Sequence, residues 1–415
     1  MKFLITFAFK NLTRYKRRTL ITAGAIAVGI MMYIFIDAML MGAEYESVRN
    51  LKWYETASAR ILNDEYWENR QQLPLDLSIS DPDKIIDRLD ENGIIATKRI
   101  SIGGDLILSS QEFGEDGNLP VTVTAIDPST DNEVFHYADT LIEGRFLEQD
   151  EDAALIGSWF AEDIGAKIGS WVTVLARGNG GFYEAIDLEI VGILNCPNPN
   201  VNRTLLMIPF DTADYYLAMD GAATEINIKL SDLADVDAEL PAIQELLNGD
   251  DLTVMSWTAM ARDYLALAEA KRGGTGMILF LIFIIAAVGI SNTMLMAIFE
   301  RVRELGMMRS LGMSDAKIRI AFMLEAAGIG LLGSIMGVIL GIVADFFIIN
   351  VGIDFSFIMR DMDIGYRIQG IFRGAWNPGT IVIAFFAGIL ISTLVAYLPT
   401  NRALKMDIPS CLRHQ

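Results

Sequence analysis

Histidine and cysteine are nearly missing from this chain: two of each occur in 415 residues. Two histidines argue against a His-built metal site, and two cysteines exclude a disulfide-dense scaffold. Positive charge is also scarce. Lys and Arg number 33 against 53 Asp and Glu, a net charge of −20, which argues against a nucleic-acid partner because such proteins carry basic faces. No G-x-x-x-x-G-K-[ST] phosphate loop is present; GAKIGS at 165–170 lacks the required order. Neither H-E-x-x-H nor G-x-S-x-G occurs. His136 has no catalytic neighbours in sequence and reads as an ordinary surface histidine. The carboxylates of DPSTDNE at 127–133 lack the EF-hand spacing and glycine, so they read as a solvated loop. The chain is expected to be non-catalytic and to bind no cofactor itself.

Apolar residues are plentiful instead, at 52% with only 21% charged. Four runs read as membrane spans: 19–41, 277–299, 320–349 and 380–397. Each approaches or exceeds the roughly 20 residues that cross about 30 Å of hydrocarbon. The third is longer than the hydrocarbon requires and must tilt or project beyond the bilayer, and the fourth borrows flanking residues. The first exceeds the 7–15-residue apolar region of a signal peptide and is expected to be retained.

Lys and Arg in the short flanks set the orientation. Residues 1–18 carry six bases and no acid, 300–319 carry five bases, and 400–415 carry Arg402, Lys405 and Arg413. These segments are assigned to the cytoplasm, with 1–18 an interfacial helix. Residues 43–272 hold 43 acids against 16 bases and are assigned outside, as is the loop 350–379. Cys196 and Cys411 then fall on opposite sides.

The segment 42–272 carries its own punctuation. Asp81 reads as the N-cap of a helix that Pro82 begins, residues 84–91 continue and Gly93 ends. Residues 94–102, 121–126, 171–175, 188–194 and 204–209 read as strands, and 211–217 and 236–247 as short helices. Connectors 44–62 and 258–272 read as helical stalks. Gly273 and Gly274 interrupt the second stalk, either as a plain helix end or as a hinge. The expected fold is a four-helix membrane protein with a large mixed α/β domain inserted between its first two spans.

The most specific string is ERVRELGMMRSLGMS at 300–314. It resembles the E-R-x-R-E-I-G-x-x-R-A-x-G-A-S run of FtsX-like permeases, the family of the macrolide-exporting and lipoprotein-releasing ABC transporters. NTMLM at 292–296, LEAAG at 324–328 and PTNRALKMDIP at 399–409 are also similar, giving a permease domain over about 277–409 and a MacB-like core in the insert. Leu305, Ser310 and Met313 are mild departures.

The resemblance implies a coupling helix at 300–319 seated in an ATPase groove. Its candidate contacts are Glu300, Arg301, Arg303, Glu304, Gly306, Met307, Met308, Arg309, Leu311 and Gly312. Methionine adapts to interfaces that repack, and arginine pairs bidentately with carboxylates. ATP and magnesium would belong to a separate cytoplasmic ABC ATPase in two copies. A second permease copy or a paralogue would complete the transporter in a bacterial inner membrane, with both termini cytoplasmic. The implied action is mechanotransmission: ATP-driven motion of the coupling loops tilts the stalks and works the outer domain.

Gly333, Gly337 and Gly341 form a G-x-x-x-G face for packing within the chain or between subunits. Met31, Met32, Phe35, Phe280 and Phe283 are candidate cargo contacts. Asp37, Glu325 and Asp345 are acids within apolar runs. Release of lipoproteins to a periplasmic carrier is the first functional expectation. Export of a peptide, drug or other amphiphile through an adaptor is the second, and signalling to a cell-wall hydrolase the third.

Overall fold

The structure is a computed structural model that describes residues 12, 14, 16–108, 117–231, 235–247, 251–300, 302–354 and 370–405. The chain divides into two units. Residues 1–45, 267–354 and 372–415 form a helical unit, and residues 46–266 and 355–371 form a sheet unit.

The long helices follow from uninterrupted apolar sequence. Helix α1 spans Lys16–Leu51, α2 Arg262–Phe299, α3 Val302–Ser310, α4 Asp315–Asn350, α5 Pro378–Val395 and α6 Tyr397–Leu404. Among the described residues, three stretches are long and apolar enough to cross a membrane: Thr19–Thr56, Asp315–Asn350 and Pro378–Leu404. The apolar run 277–299 lies inside α2, many of whose side chains fall outside the described residues. Most of the stretch expected as an interfacial helix lies outside them, as do Cys411 and half of the loop 350–379.

Two expectations about the stalks need correction. The first stalk does not stay helical to residue 62. Helix α1 ends at Leu51, a wider π-helical turn covers Lys52–Thr56, and a strand begins at Ala59. The run ARILN buries Ala59, Ile61 and Leu62 and pairs on both sides. Nor do Gly273 and Gly274 interrupt the second stalk, because α2 runs through both. Glycine lowers helix propensity by only about 1 kcal/mol, and long apolar flanks outweigh that.

In the sheet unit, ten strands occur among the described residues. They are β1 Ala59–Asn63, β2 Ile95–Leu108, β3 Gly117–Ile126, β4 Leu141–Gly144, β5 Ala153–Gly157, β6 Trp171–Arg177, β7 Tyr183–Leu194, β8 Leu206–Pro209, β9 Glu225–Lys229 and β10 Leu252–Ser256. Six of them close a barrel. β2 pairs β3, β3 pairs β8, β8 pairs β5, β5 pairs β7, β7 pairs β6, and β6 returns to β2. β2 belongs to two systems. Its first half pairs β9 through Ile95–Arg99, and its second half pairs β6 through Gly104–Ile107. Gly103 and Gly104 sit where the partner changes. A side chain on Gly104 would crowd the Leu175 carbonyl at 3.0 Å, so glycine permits the close approach at this barrel corner. β9, β1 and β10 continue as an open sheet.

The barrel core gathers Ile100, Ile102, Leu106, Val123, Ile156, Val174, Ile186, Leu188 and Ile190. A second cluster packs Ile61, Ile226 and Ile228 of the open sheet beneath Ile85, Leu89 and Ile243 of short helices. The helix over Pro82–Asp90 starts as expected, with Asp81 at the N-cap position. The Asp81 carboxylate caps no backbone N–H and instead accepts from Lys84 Nζ at 2.7 Å.

The segment 127–133 is not simply solvated. Asp131 is buried and receives a bidentate pair from buried Arg99, with Nε–Oδ1 at 2.7 Å and Nη2–Oδ2 at 2.9 Å. The Arg99 guanidinium lies 3.4 Å over the Phe135 ring. Burial and pairing together explain the charges: a buried carboxylate is tolerated when an equally buried cation satisfies both its oxygens. His136 is half-buried and stacked on Trp53, with ring centroids 4.3 Å apart.

Candidate functional site

The coupling segment folds as a helix, a tight turn and a second helix. Helix α3 ends at Ser310, and Gly312 adopts φ +86°. The Gly312 N–H donates to Arg309 O at 3.0 Å, and the Met313 N–H donates to Met308 O at 3.1 Å. This pair of bonds is a Schellman ending, in which glycine takes the left-handed position at no steric cost. The hydrophobic contact that accompanies such an ending is present. Met308 and Met313 both pack on the cluster of Ile318, Phe322, Ala403 and Leu404. Across the turn, Arg309 at the end of α3 meets Asp315 at the start of α4, Nε–Oδ1 3.1 Å. Each charge also lies at the helix end whose dipole favours it.

That packing divides the expected contact residues by face. Met308 turns inward, whereas Met307 and Leu311 are exposed, Leu311 at 82%. Gly306 is buried, and Arg303 and Glu300 are exposed. Glu304 Oε1 meets Arg14 Nη1 at 3.4 Å, tying α3 to the chain just before α1. Arg301 lies outside the described residues. An exposed leucine and methionine beside arginines, on a turn locked from behind, form a small rigid apolar knob with charge around it. The sequence string located it, but Arg14 and Asp315 as its tethers carried no separate signal.

The glycine face of α4 packs on α1 in the same chain. A Cβ on Gly333 would fall 2.8 Å from Ile26 Cβ, on Gly337 2.8 Å from Ile30 Cβ, and on Gly341 3.0 Å from Ile34 Cβ. Each step of four along α4 matches a step of four along α1, so the two helices run parallel here. Gly330 faces α5 instead, where its added Cβ would collide with the Ser392 hydroxyl. Gly388 of α5 approaches Ser334 and Ile30. The glycines thus let three helices meet at backbone distance.

Among the remaining named residues, Met32 is 39% exposed and Phe280 64% exposed, while Met31 and Phe35 are half-buried. The Phe283 side chain lies outside the described residues. Asp37 accepts from Asn377 Nδ2, and both Glu325 and Asp345 are buried. No group of metal-ligating side chains occurs among the described residues.

Family models match both parts of the chain. The FtsX-like permease C-terminal model covers residues 276–408, and the MacB-like periplasmic core domain model covers residues 19–246. One relative is the lipoprotein-releasing system transmembrane protein LolC of Neisseria meningitidis, 25% identical over 71% of this chain and 73% of that protein. A second is the macrolide export ATP-binding/permease protein MacB of Escherichia coli, 23% identical over 96% of this chain; the chain spans 59% of its length. A third is an uncharacterized ABC transporter permease of Methanocaldococcus jannaschii, 22% identical over 99% of this chain and 97% of that protein.

Proposed function

The chain belongs to the ABC permeases that join a MacB-like periplasmic core domain to an FtsX-like permease domain, and from that premise we propose that it is a force-transmitting subunit driven by a separate ATPase. The arrangement is a four-span subunit in an inner membrane, with both termini cytoplasmic and the sheet unit outside. Two ATPases and a second permease, a copy or a paralogue, complete the assembly. The observation that carries the reading is the rigid, exposed knob at Met307 and Leu311, locked by the Schellman turn and by Met308 and Met313. A docking helix that conveys motion must not flex against its own span, and this one is pinned to α4 and α6.

Lipoprotein extraction from the inner membrane is the cargo reading supported by the LolC relative, which matches over 73% of its own length. Export of an amphiphile is supported by the MacB relative, whose match covers 96% of this chain. Purification of the complex from native membranes and mass spectrometry of bound species tests both. Co-purified lipid-modified proteins support the first reading. Their absence, with ATPase activity stimulated by a small amphiphile, overturns it in favour of export. For the docking itself, Leu311→Cys should cross-link to the ATPase through a short bismaleimide, and no cross-link at that position would remove the knob from the interface.

A further inference from the structure

The end of α1 enters the sheet unit through a joint in which Asn50, Thr56 and Asn198 are buried and Glu55 is half-buried. Beyond Leu51 the helix widens into the π-helical turn Lys52–Thr56, then breaks at Ala57, where φ is +56°. Widened turns of this kind are rare and gather at functional positions. A non-glycine residue in that region is strained and persists only where its surroundings hold it.

The turn's backbone is held by the Tyr137 hydroxyl, which donates to Tyr54 O, by the His136 N–H on Trp53 O at 3.4 Å and by Arg60 Nη2 on Glu55 O at 2.9 Å, and the contacts to its side chains come from one loop. Asn198 is fully buried and donates through Nδ2 to Glu55 Oε1 at 2.5 Å. Asn50, 1% exposed, donates to Pro197 O at 3.5 Å. The loop is itself cross-wired, because Asn202 accepts from the Cys196 N–H at 2.7 Å and donates to the Cys196 carbonyl at 2.8 Å. On its near side the loop continues β7, which is hydrogen-bonded to β4, β5 and β6. Past the helix Pro199–Thr204 it leads into β8, another barrel strand. A pull on residues 50–55 is therefore delivered to a closed barrel through two of its strands.

We propose that Glu55 and Asn198 are the positioning residues of this joint, holding the end of α1 to the β7–β8 loop so that displacement of the helix moves the barrel as one body. The proposal rests on the force-transmission reading above. Cys196 supplies a reporter. It is fully buried, its thiol meets Thr140 Oγ1 at 3.4 Å, and burial pushes its pKa up to about 12, so it is inert to maleimides while the loop is seated.

The test uses the full-length chain in its native membranes, in a Cys411→Ser background, with N-ethylmaleimide as probe and with or without ATP. The wild-type joint should protect Cys196 in both conditions. Asn198→Ala and Glu55→Ala should stay protected without ATP and label at least tenfold faster during turnover, because load now separates helix and loop. Glu55→Gln retains the acceptor oxygen and should behave as wild type. Labelling of Asn198→Ala that is fast and equal with and without ATP would show a merely loosened fold and overturn the proposal. Protection in both conditions, while ATPase activity co-purifies with the chain, would show that the joint bears no load and overturn it too. If no ATPase co-purifies, the force-transmission reading itself has failed.

Discussion

The side-chain amide of Asn377 donates to Asp37 Oδ2 at 2.8 Å, while its oxygen accepts from the Thr380 N–H at 3.4 Å. One residue thus caps α5 and fastens its start to α1. Asn377→Ala should destabilise the helical unit by about 1–3 kcal/mol, the sum of a lost cap and an unpaired acid. Thermal melting in detergent measures it, and an unchanged midpoint would show that the tie is not formed. Asp345 is buried and its Oδ1 has no hydrogen-bond partner among the described residues. Asp345→Asn should therefore cost less than Asn377→Ala.

Glycine contacts predict a graded series. Gly337→Val adds bulk where Ile30 Cβ and the Ala27 carbonyl are already 2.8 Å from an added Cβ. The α1–α4 contact should be lost, with overpacking of about 1–3 kcal/mol or more. Gly29 of α1 has nothing within 4 Å of an added Cβ. Gly29→Ala should be neutral or gain up to about 1 kcal/mol in helix propensity. Yield of folded protein by fluorescence-detected size exclusion separates the two, and equal yields would contradict the packing.

The Arg99–Asp131 pair predicts a non-additive response. Asp131→Ala leaves a buried guanidinium and should cost about 3–5 kcal/mol. Arg99→Met combined with Asp131→Leu removes both charges and should recover most of that loss. A double variant no better than the single one would mean that the Phe135 and Tyr137 rings depend on the cation itself.

The Arg145–Glu151 pair gives a pH dependence. Hydrogen bonds from the Arg145 guanidinium, at 2.5 and 2.9 Å, and from the Glu148 N–H hold the Glu151 carboxyl below the usual glutamate range. A lowered carboxyl pKa adds stability that is fully present at neutral pH and disappears as pH falls through the lowered value. Glu151→Gln should melt below wild type at pH 7, and the difference should vanish in acid. A gap that widened in acid would reverse the sign. Because the pair is partly solvent-exposed, the effect should be small and salt-sensitive.

Three long apolar helices and the helix–turn–helix over 302–315 were legible because their signals are local. Apolar length marks a span, and the ERVRELG string marks α3 with the glycine that ends it. The strands ending at Ile126, Arg177, Leu194 and Pro209 were also found near their observed positions, since alternation and β-branching are read within a few residues. The strand β1 was not, because ARILN follows a helix without a breaker and becomes a strand only by pairing β9 and β10. The reach of β2 beyond Ile102 was hidden by Gly103 and Gly104, which look like an ending and act as a corner. Asp131 read as solvated because the cation that neutralises it is 32 residues away. The clamp on α1 left one trace, the four asparagines of NCPNPNVN at 195–202, a pattern that signals a turn without revealing what the turn grips.

The parallel register of α1 and α4 has a consequence for biogenesis. Gly333, Gly337 and Gly341 each meet a residue about 300 positions earlier in the chain. At roughly 5–20 residues per second of synthesis, the first helix must wait roughly 15–60 seconds before its partner leaves the ribosome. During that interval lipid, or an insertion factor, is all that covers the surface of Ile26, Ile30 and Ile34. The newborn helix therefore has to be tolerable to the bilayer alone, which suits a seam made of isoleucine on the early side and bare backbone on the late one.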